Sequence, residues 1–246
     1  MSPHGPPAPA GAGPSALYED EDAPPNAEKA TEWTVLLGGD WSFSDLPQLP
    51  RLYVNVYMPL LLFGEQKGDG GRVGSEFSFG ENIAQGRGGA WRVLMRHITE
   101  ATPANDRPEL QRLQVASPGS LTMKVDPSVA AVLAEVVERS SAESKTWFRE
   151  LWKERHPKKR DRPFDPWDEE DQDHDPEQDG TELDPRISPD QLDKLGKRLC
   201  PFVGLSWTLV NNAFRKPHLR ADFILAYYRM VERLRTFVDK GLIEAL

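Results

Sequence analysis

The most acidic part of the chain carries the residue types that could bind calcium. Carboxylates recur there at the spacing of an EF-hand loop: Asp171, Asp173, Asp175, Glu177, Asp179 and Glu182. Counting from Asp171 puts Glu182 in the last ligand position, but Pro176 then stands where the loop needs glycine for its sharp turn. Counting from Asp175 restores that glycine but puts Arg186 in the last ligand position. Because neither frame is complete, we expect a disordered acidic spacer with no more than weak calcium affinity, and we assign no metal site.

The segment from residue 64 to residue 89 is rich in glycine, which lets a backbone approach a phosphate closely. Neither GxxxxGK[ST] nor GxGxxG occurs in it. A long loop, with a short strand at 76–79, is therefore the better interpretation. Loops of this length are usually functional or disordered, so an enzyme with an unmotifed site near the glycine-rich loop stays open as an alternative.

Residues that could carry catalysis stand apart from one another in the sequence. The chain has neither GxSxG nor HExxH, and its five histidines form no ligand pair at helical spacing. The single cysteine, Cys200, precedes a proline in an apolar stretch, and we expect a small core residue there. We therefore assign no catalytic, cofactor-binding or metal-ligating residue and infer no cofactor or small-molecule ligand. Whether the protein is an enzyme stays open, but the lack of catalytic motifs favours a protein that is not an enzyme.

The last predicted helix, from about 219 to 240, offers two candidate surfaces. Apolar residues recur every three or four positions and form a candidate partner surface made of Phe223, Tyr227, Met230, Leu234 and Phe237. A seam this short more often packs on its own domain than forms a coiled coil, so that packing is the alternative. Basic residues off that stripe form a candidate anion surface made of Arg220, Arg229, Arg233 and Arg235. Gly241 is a suitable residue to end the helix.

Charge is unevenly distributed along the chain. The net charge is −9, yet residues 161–186 contain twelve acidic and two basic side chains. Residues 187–246 contain six acidic and ten basic side chains, so the C-terminal part is basic. Nucleic-acid binding by these basic helices is therefore the second functional alternative.

Composition also limits the compartment and the class of protein. The first residues have no basic region followed by an apolar stretch, so they do not form a signal-peptide pattern. The longest apolar run contains a proline and is far shorter than the ~20 residues that a membrane-spanning helix needs. One cysteine allows no intramolecular disulfide. We expect a soluble, cytoplasmic protein that is not inserted in a membrane.

Hydrophobic periodicity predicts an α+β fold. A small, mainly antiparallel sheet is expected at about 33–37, 51–58, 111–116 and 120–125, covered by helices near 90–98 and 127–154. Asp126-Pro127 is a favourable start for the long helix, as Ser188-Pro189 is for the next, where Gln191 would complete a capping box. The stretch 201–214 is read as a buried helix, with a strand as the alternative.

These elements predict a division into four parts. Residues 1–30 form a disordered Pro/Ala/acidic tail, 31–160 an α+β domain, 161–187 an acidic disordered linker and 188–246 a helical segment. The sequence leaves open whether that last segment packs on the same core. The leading functional interpretation is a non-catalytic interaction or regulatory module of a cytoplasmic multi-protein system, with a protein partner or homo-oligomer.

Overall fold

The structure is a computed structural model that describes residues 31–39, 41–42, 45–64, 90–114, 119–139, 142–155 and 188–246. Within these residues, a four-stranded antiparallel sheet and seven helices form an α+β fold. The predicted tail, the glycine-rich loop beyond Gly64 and the acidic linker, with its incomplete calcium frames, lie outside the described residues.

The strands are β1 Thr31–Leu37, β2 Glu109–Gln114, β3 Gly119–Val125 and β4 Ile243–Ala245. The helices are α1 Gln48–Phe63, α2 Ala90–Ala101, α3 Pro127–Arg139, α4 Ala142–Arg155, α5 Pro189–Leu199, α6 Trp207–Ala213 and α7 Pro217–Asp239. Short 3-10 turns lie at Ala104–Asp106 and Cys200–Val203.

The strands are arranged in the order β2-β3-β1-β4. Alternate residues of β1 and β3, such as Val35, Leu121 and Met123, are fully buried, and those between them are partly or fully exposed. One face of the sheet therefore meets the core, and we call the opposite face the outer face. The predicted strands at 33–37 and 120–125 are confirmed, and the one predicted at 111–116 spans 109–114 among the described residues.

The strand predicted at 51–58 is wrong, because this stretch lies inside helix α1. Apolar residues occur on both faces of the stretch, so they fit a two-residue period and a helical period equally well. Tyr53, Val56, Tyr57 and Leu60 all become buried, as the three-and-four spacing of a core helix requires. Pro59 is tolerated near the helix end.

The single long helix predicted at 127–154 is also wrong, because α3 and α4 divide it. Its predicted start is confirmed: the carboxylate of Asp126 accepts hydrogen bonds from the backbone N–H of Ser128 at 2.8 Å and from its hydroxyl. This satisfies one N–H of the first turn that has no helical partner. Among the described residues, α3 ends at Arg139 and α4 begins at Ala142.

The predicted start of α5 is confirmed, but the capping box is not. Pro189 is the first residue of the helix, and Ser188 makes no side-chain capping hydrogen bond. The backbone carbonyl of Ser188 instead accepts from the N–H groups of Gln191 and Leu192. The stretch 201–214 is helical only in part, as a 3-10 turn followed by α6.

Helix α7 is the central helix of the fold and contacts α1, α3, α4 and α5. It ends at Asp239, and Gly241 takes a left-handed φ of 68°. The N–H of Gly241 bonds the carbonyl of Val238 at 2.9 Å, and that of Leu242 bonds Phe237 at 2.9 Å. This Schellman arrangement confirms the predicted stop and turns the chain into β4, which pairs with β1.

Candidate functional site

The candidate partner surface on α7 is part of the core of this chain. All five side chains are less than 9% exposed: Phe223, Tyr227, Met230, Leu234 and Phe237. Trp41 stacks on Phe237 with ring centroids 5.4 Å apart, and Phe63 meets Phe223 edge-on at 5.3 Å. The stripe therefore packs within its own chain and is not exposed to a partner.

The candidate anion surface is engaged as well, beginning with Arg220. Its side chain is 6% exposed, and its guanidinium makes a two-pronged contact with the carboxylate of Asp193, with Nη2–Oδ2 at 2.6 Å. Nη1 also donates to the carbonyls of Phe214 and Arg215, at 2.7 and 3.0 Å. Arg220 therefore ties α5 to the turn before α7, and an external anion would have to displace Asp193.

Two more of the predicted arginines make contacts within the fold. Arg229 is 8% exposed and lies over the ring of Trp152, 4.7 Å from its centroid. Arg235 donates to the carbonyls of Val137 and Glu138 at 2.9 and 3.0 Å, which satisfies the C-terminal end of α3. Arg233 is half-buried. The structure therefore does not bring the four arginines together as one exposed basic surface, which corrects the prediction.

A cluster of buried tyrosines lies between α1, α3 and α7. Tyr57 accepts a 2.8 Å hydrogen bond from the N–H of Asp126, and Tyr227 donates to the carbonyl of Val56 at 3.4 Å. The Tyr53 hydroxyl is buried without a hydrogen-bond partner among the described residues. Burial, with a smaller contribution from Tyr57, raises the pKa of Tyr53 well above its ordinary value. Tyr53 therefore stays a neutral phenol at physiological pH and is a poor proton acceptor.

Groups that could hold a metal do not cluster in the described part of the chain. No set of three or more His, Cys, Asp or Glu side chains converges there. Cys200 is fully buried, as expected for a core residue. His97 lies on the exposed side of α2 beside Glu100, with 3.8 Å between Nδ1 and Oε2.

The most prominent exposed apolar feature of the described residues is the edge of the sheet at β2. Leu110 is 50% exposed and Leu113 is 37% exposed. They pair with Met123 and Leu121 of β3, which are both buried, so the two leucines lie on the core face of the sheet. The main contacts of β2 within the described residues are with β3, so the helices leave this margin of the core open.

The backbone of β2 is open for the same reason. Among the described strands, β2 has one neighbour, and all but its last residue are exposed. Its outer face carries Glu109 and Arg112, and a bulge interrupts the pairing between Leu110 and Arg112. An edge of this kind can add a strand from another chain, while the bulge and the charges limit how far pairing extends.

The sequence interpretation placed the hairpin of β2 and β3 at an edge of the sheet but expected the helix that follows to cover it. It did not identify Leu110 and Leu113 as an exposed apolar margin. Two signals could have found it. Pro108 precedes the strand, and Glu109 and Arg112 place charge along it, both of which are typical of edge strands.

None of the helices in the described ranges is both long and apolar enough to cross a membrane. Comparison of the chain with models of protein families, with curated proteins and with solved structures gave no match.

Proposed function

We propose that this protein is an interaction module, and that the open sheet edge at β2 is its binding surface. The observation that carries the proposal is the exposure of Leu110 and Leu113 on the core face of the sheet. Large apolar side chains in that position extend the apolar face of the sheet past the part that the helices cover. A partner that covers them extends an existing apolar layer.

The backbone of β2 supplies a second source of affinity. An incoming strand can pair with the free N–H and C=O groups of an edge strand, and its side chains then lie over those of the edge. Backbone pairing supplies affinity with little sequence preference, so Leu110, Leu113 and the two charged residues supply specificity. Each of these four side chains is exposed.

The proposal is tested by replacing both edge leucines, as Leu110→Asp with Leu113→Asp. The matched control is Leu36→Asp, because Leu36 is 44% exposed but lies on the outer face of β1, away from the open edge. Each protein is tagged and cross-linked in an extract of its source cells, and the captured proteins are quantified. Capture by the wild type and the control, but not by the edge variant, supports the proposal.

Circular dichroism shows whether the edge variant keeps its fold, which is expected because both leucines are already exposed. A captured set that does not change when the edge leucines are replaced would show that binding occurs elsewhere.

A further inference from the structure

The outer face of the sheet carries a row of charges with alternating sign. Glu32 of β1 pairs with Lys124 of β3, and Lys124 pairs with Glu109 of β2. Paired residues in antiparallel strands point to the same face, so the row reads negative, positive, negative and ends at the open edge. A positively charged side chain on an added strand, next to Glu109, would therefore continue the alternation.

The neighbouring row ends in the opposite charge. Arg112 of β2 pairs with Thr122 of β3, which pairs with Thr34 of β1. Neither threonine carries charge, so this row offers a single cation at the open edge. The β2 edge therefore presents an anion at Glu109 and a cation at Arg112, on the same face and on the two sides of the bulge.

We infer that the edge binds a second copy of this chain, with the two β2 strands antiparallel about a twofold axis between Leu110 and Gln111. The inference rests on the proposed function, in which β2 is the binding surface. The axis is normal to the sheet and keeps each side chain on its own face. Glu109 of each copy then lies opposite Arg112 of the other, which continues the alternation of charge across the interface.

The same axis joins the two exposed apolar margins. Leu110 of each copy lies opposite Gln111 of the other and diagonal to that copy's Leu110, and Leu113 lies further along each strand. The two sheets become one eight-stranded sheet whose core face is continuous across the interface, because an unpaired edge strand can pair with a strand of another chain. Charge also selects this register, because an axis through Arg112 would oppose two guanidinium groups.

The expected association is weak. The β2 strand is six residues long, which is too short to bury the roughly 800 Å² per partner of a standard stable interface. We therefore expect a dimer that forms with increasing protein concentration and weakens with salt, because the ion pairs lie on the solvent-exposed face.

The test uses the full chain and sedimentation velocity over a range of protein concentrations at low and high salt. Glu109→Arg and Arg112→Glu each turn two attractive pairs into two repulsive pairs, so each should raise the dimer dissociation constant about tenfold or more. An equimolar mixture of the two variants should dimerise again, because both cross-chain pairs then have opposite charges. The double variant should also recover.

Glu32→Arg is the matched control, since Glu32 is exposed on the same face but lies two strands from the edge. It should dimerise as the wild type does. Recovery in the mixture also shows that both single variants are folded, because unfolded chains would not restore each other.

A wild-type chain that stays monomeric at every concentration overturns the inference, as does a mixture that does not recover. If the wild-type chain is monomeric but its capture of other proteins still depends on Leu110 and Leu113, a second copy does not occupy the edge. The proposed function then remains. If the mixed variants recover dimerisation but no other protein is captured through Leu110 and Leu113, the role of the edge is self-association.

Discussion

Arg220 of α7 and Asp193 of α5 form a largely buried ion pair between the two helices. Three contacts of 2.6–3.0 Å join the guanidinium to the carboxylate, and the arginine also donates to two backbone carbonyls. Asp193 keeps 34% of its side chain exposed, whereas Arg220 keeps 6%. The arginine therefore depends on the pair more than the aspartate does, because its charge has less access to water.

Asp193→Ala is expected to lower the free energy of unfolding by about 1–3 kcal/mol, because it leaves a nearly buried guanidinium without its carboxylate. Arg220→Lys should lose much of the same stability, since an ammonium group cannot make the two-pronged contact. Urea unfolding measures both. Lys194→Ala, at an exposed position of the same helix, should change stability by less than about 0.5 kcal/mol. Equal effects of Asp193→Ala and Lys194→Ala would contradict this account of the pair.

Two tyrosines one helical turn apart should respond in opposite ways to loss of the hydroxyl. Tyr57→Phe removes the acceptor of the Asp126 N–H and should cost about 0.5–1.5 kcal/mol. Tyr53→Phe removes a buried hydroxyl that has no partner among the described residues, so it should be neutral or stabilising. Thermal unfolding of the two variants in parallel checks the difference. Loss of stability in Tyr53→Phe would mean that its hydroxyl does have a partner.

Alkaline pH should destabilise the fold through the same cluster. Burial raises the pKa of both Tyr53 and Tyr227, so the unfolded chain releases their protons first. The stability that depends on keeping these tyrosines neutral is fully present below the ordinary tyrosine pKa of about 10. Above that pH the free energy of unfolding falls by about 1.4 kcal/mol per pH unit for each tyrosine. Denaturant unfolding at several pH values measures the slope of the free energy of unfolding against pH. Tyr53→Phe should make it shallower, and an unchanged slope would count against Tyr53 as its source.

Two glycines with nearly the same positive φ should tolerate alanine differently. Gly204 has φ of 71°, and a Cβ added there would lie 2.8 Å from Val136 Cγ2 and 3.0 Å from Leu60 Cδ2. Gly241 has φ of 68° but nothing within 4 Å of such a Cβ. Gly241→Ala should therefore cost about 1–2 kcal/mol from the left-handed backbone alone. Gly204→Ala adds overpacking, for a total of about 2–5 kcal/mol by chemical denaturation. Similar losses for the two variants would show that Val136 and Leu60 move aside easily.

Local sequence determined many of the places where elements begin and end. Asp126-Pro127 starts α3 through a side-chain cap, and Gly241 ends α7 because glycine accepts a positive φ. The alternation of Leu121, Met123 and Val125 identified β3 correctly, since one of its faces is polar. These features depend on neighbours within a few residues, so they can be read without the rest of the chain.

Long-range packing decided the type of α1 and the role of α7. The stretch 51–58 has apolar residues on both faces, so its own pattern cannot separate a central strand from a core helix; helix α7, packed against it, makes the helix the better fit. The spacing of Phe223 and Tyr227 correctly showed one apolar face of α7, but a face that binds a partner and a face that binds its own chain have the same pattern.

The arginines and the sheet edge show the same division. The sequence by itself determined that Arg220 and Arg229 lie on a helix with other basic residues, but Asp193 and Trp152 reach them from α5 and α4. Likewise, it determined that Leu113 belongs to a strand, while the tertiary structure extended that strand back to Glu109 and left it uncovered at the margin. Whether a charged or apolar side chain meets solvent depends on which distant elements pack beside it, and only the tertiary structure contains that arrangement.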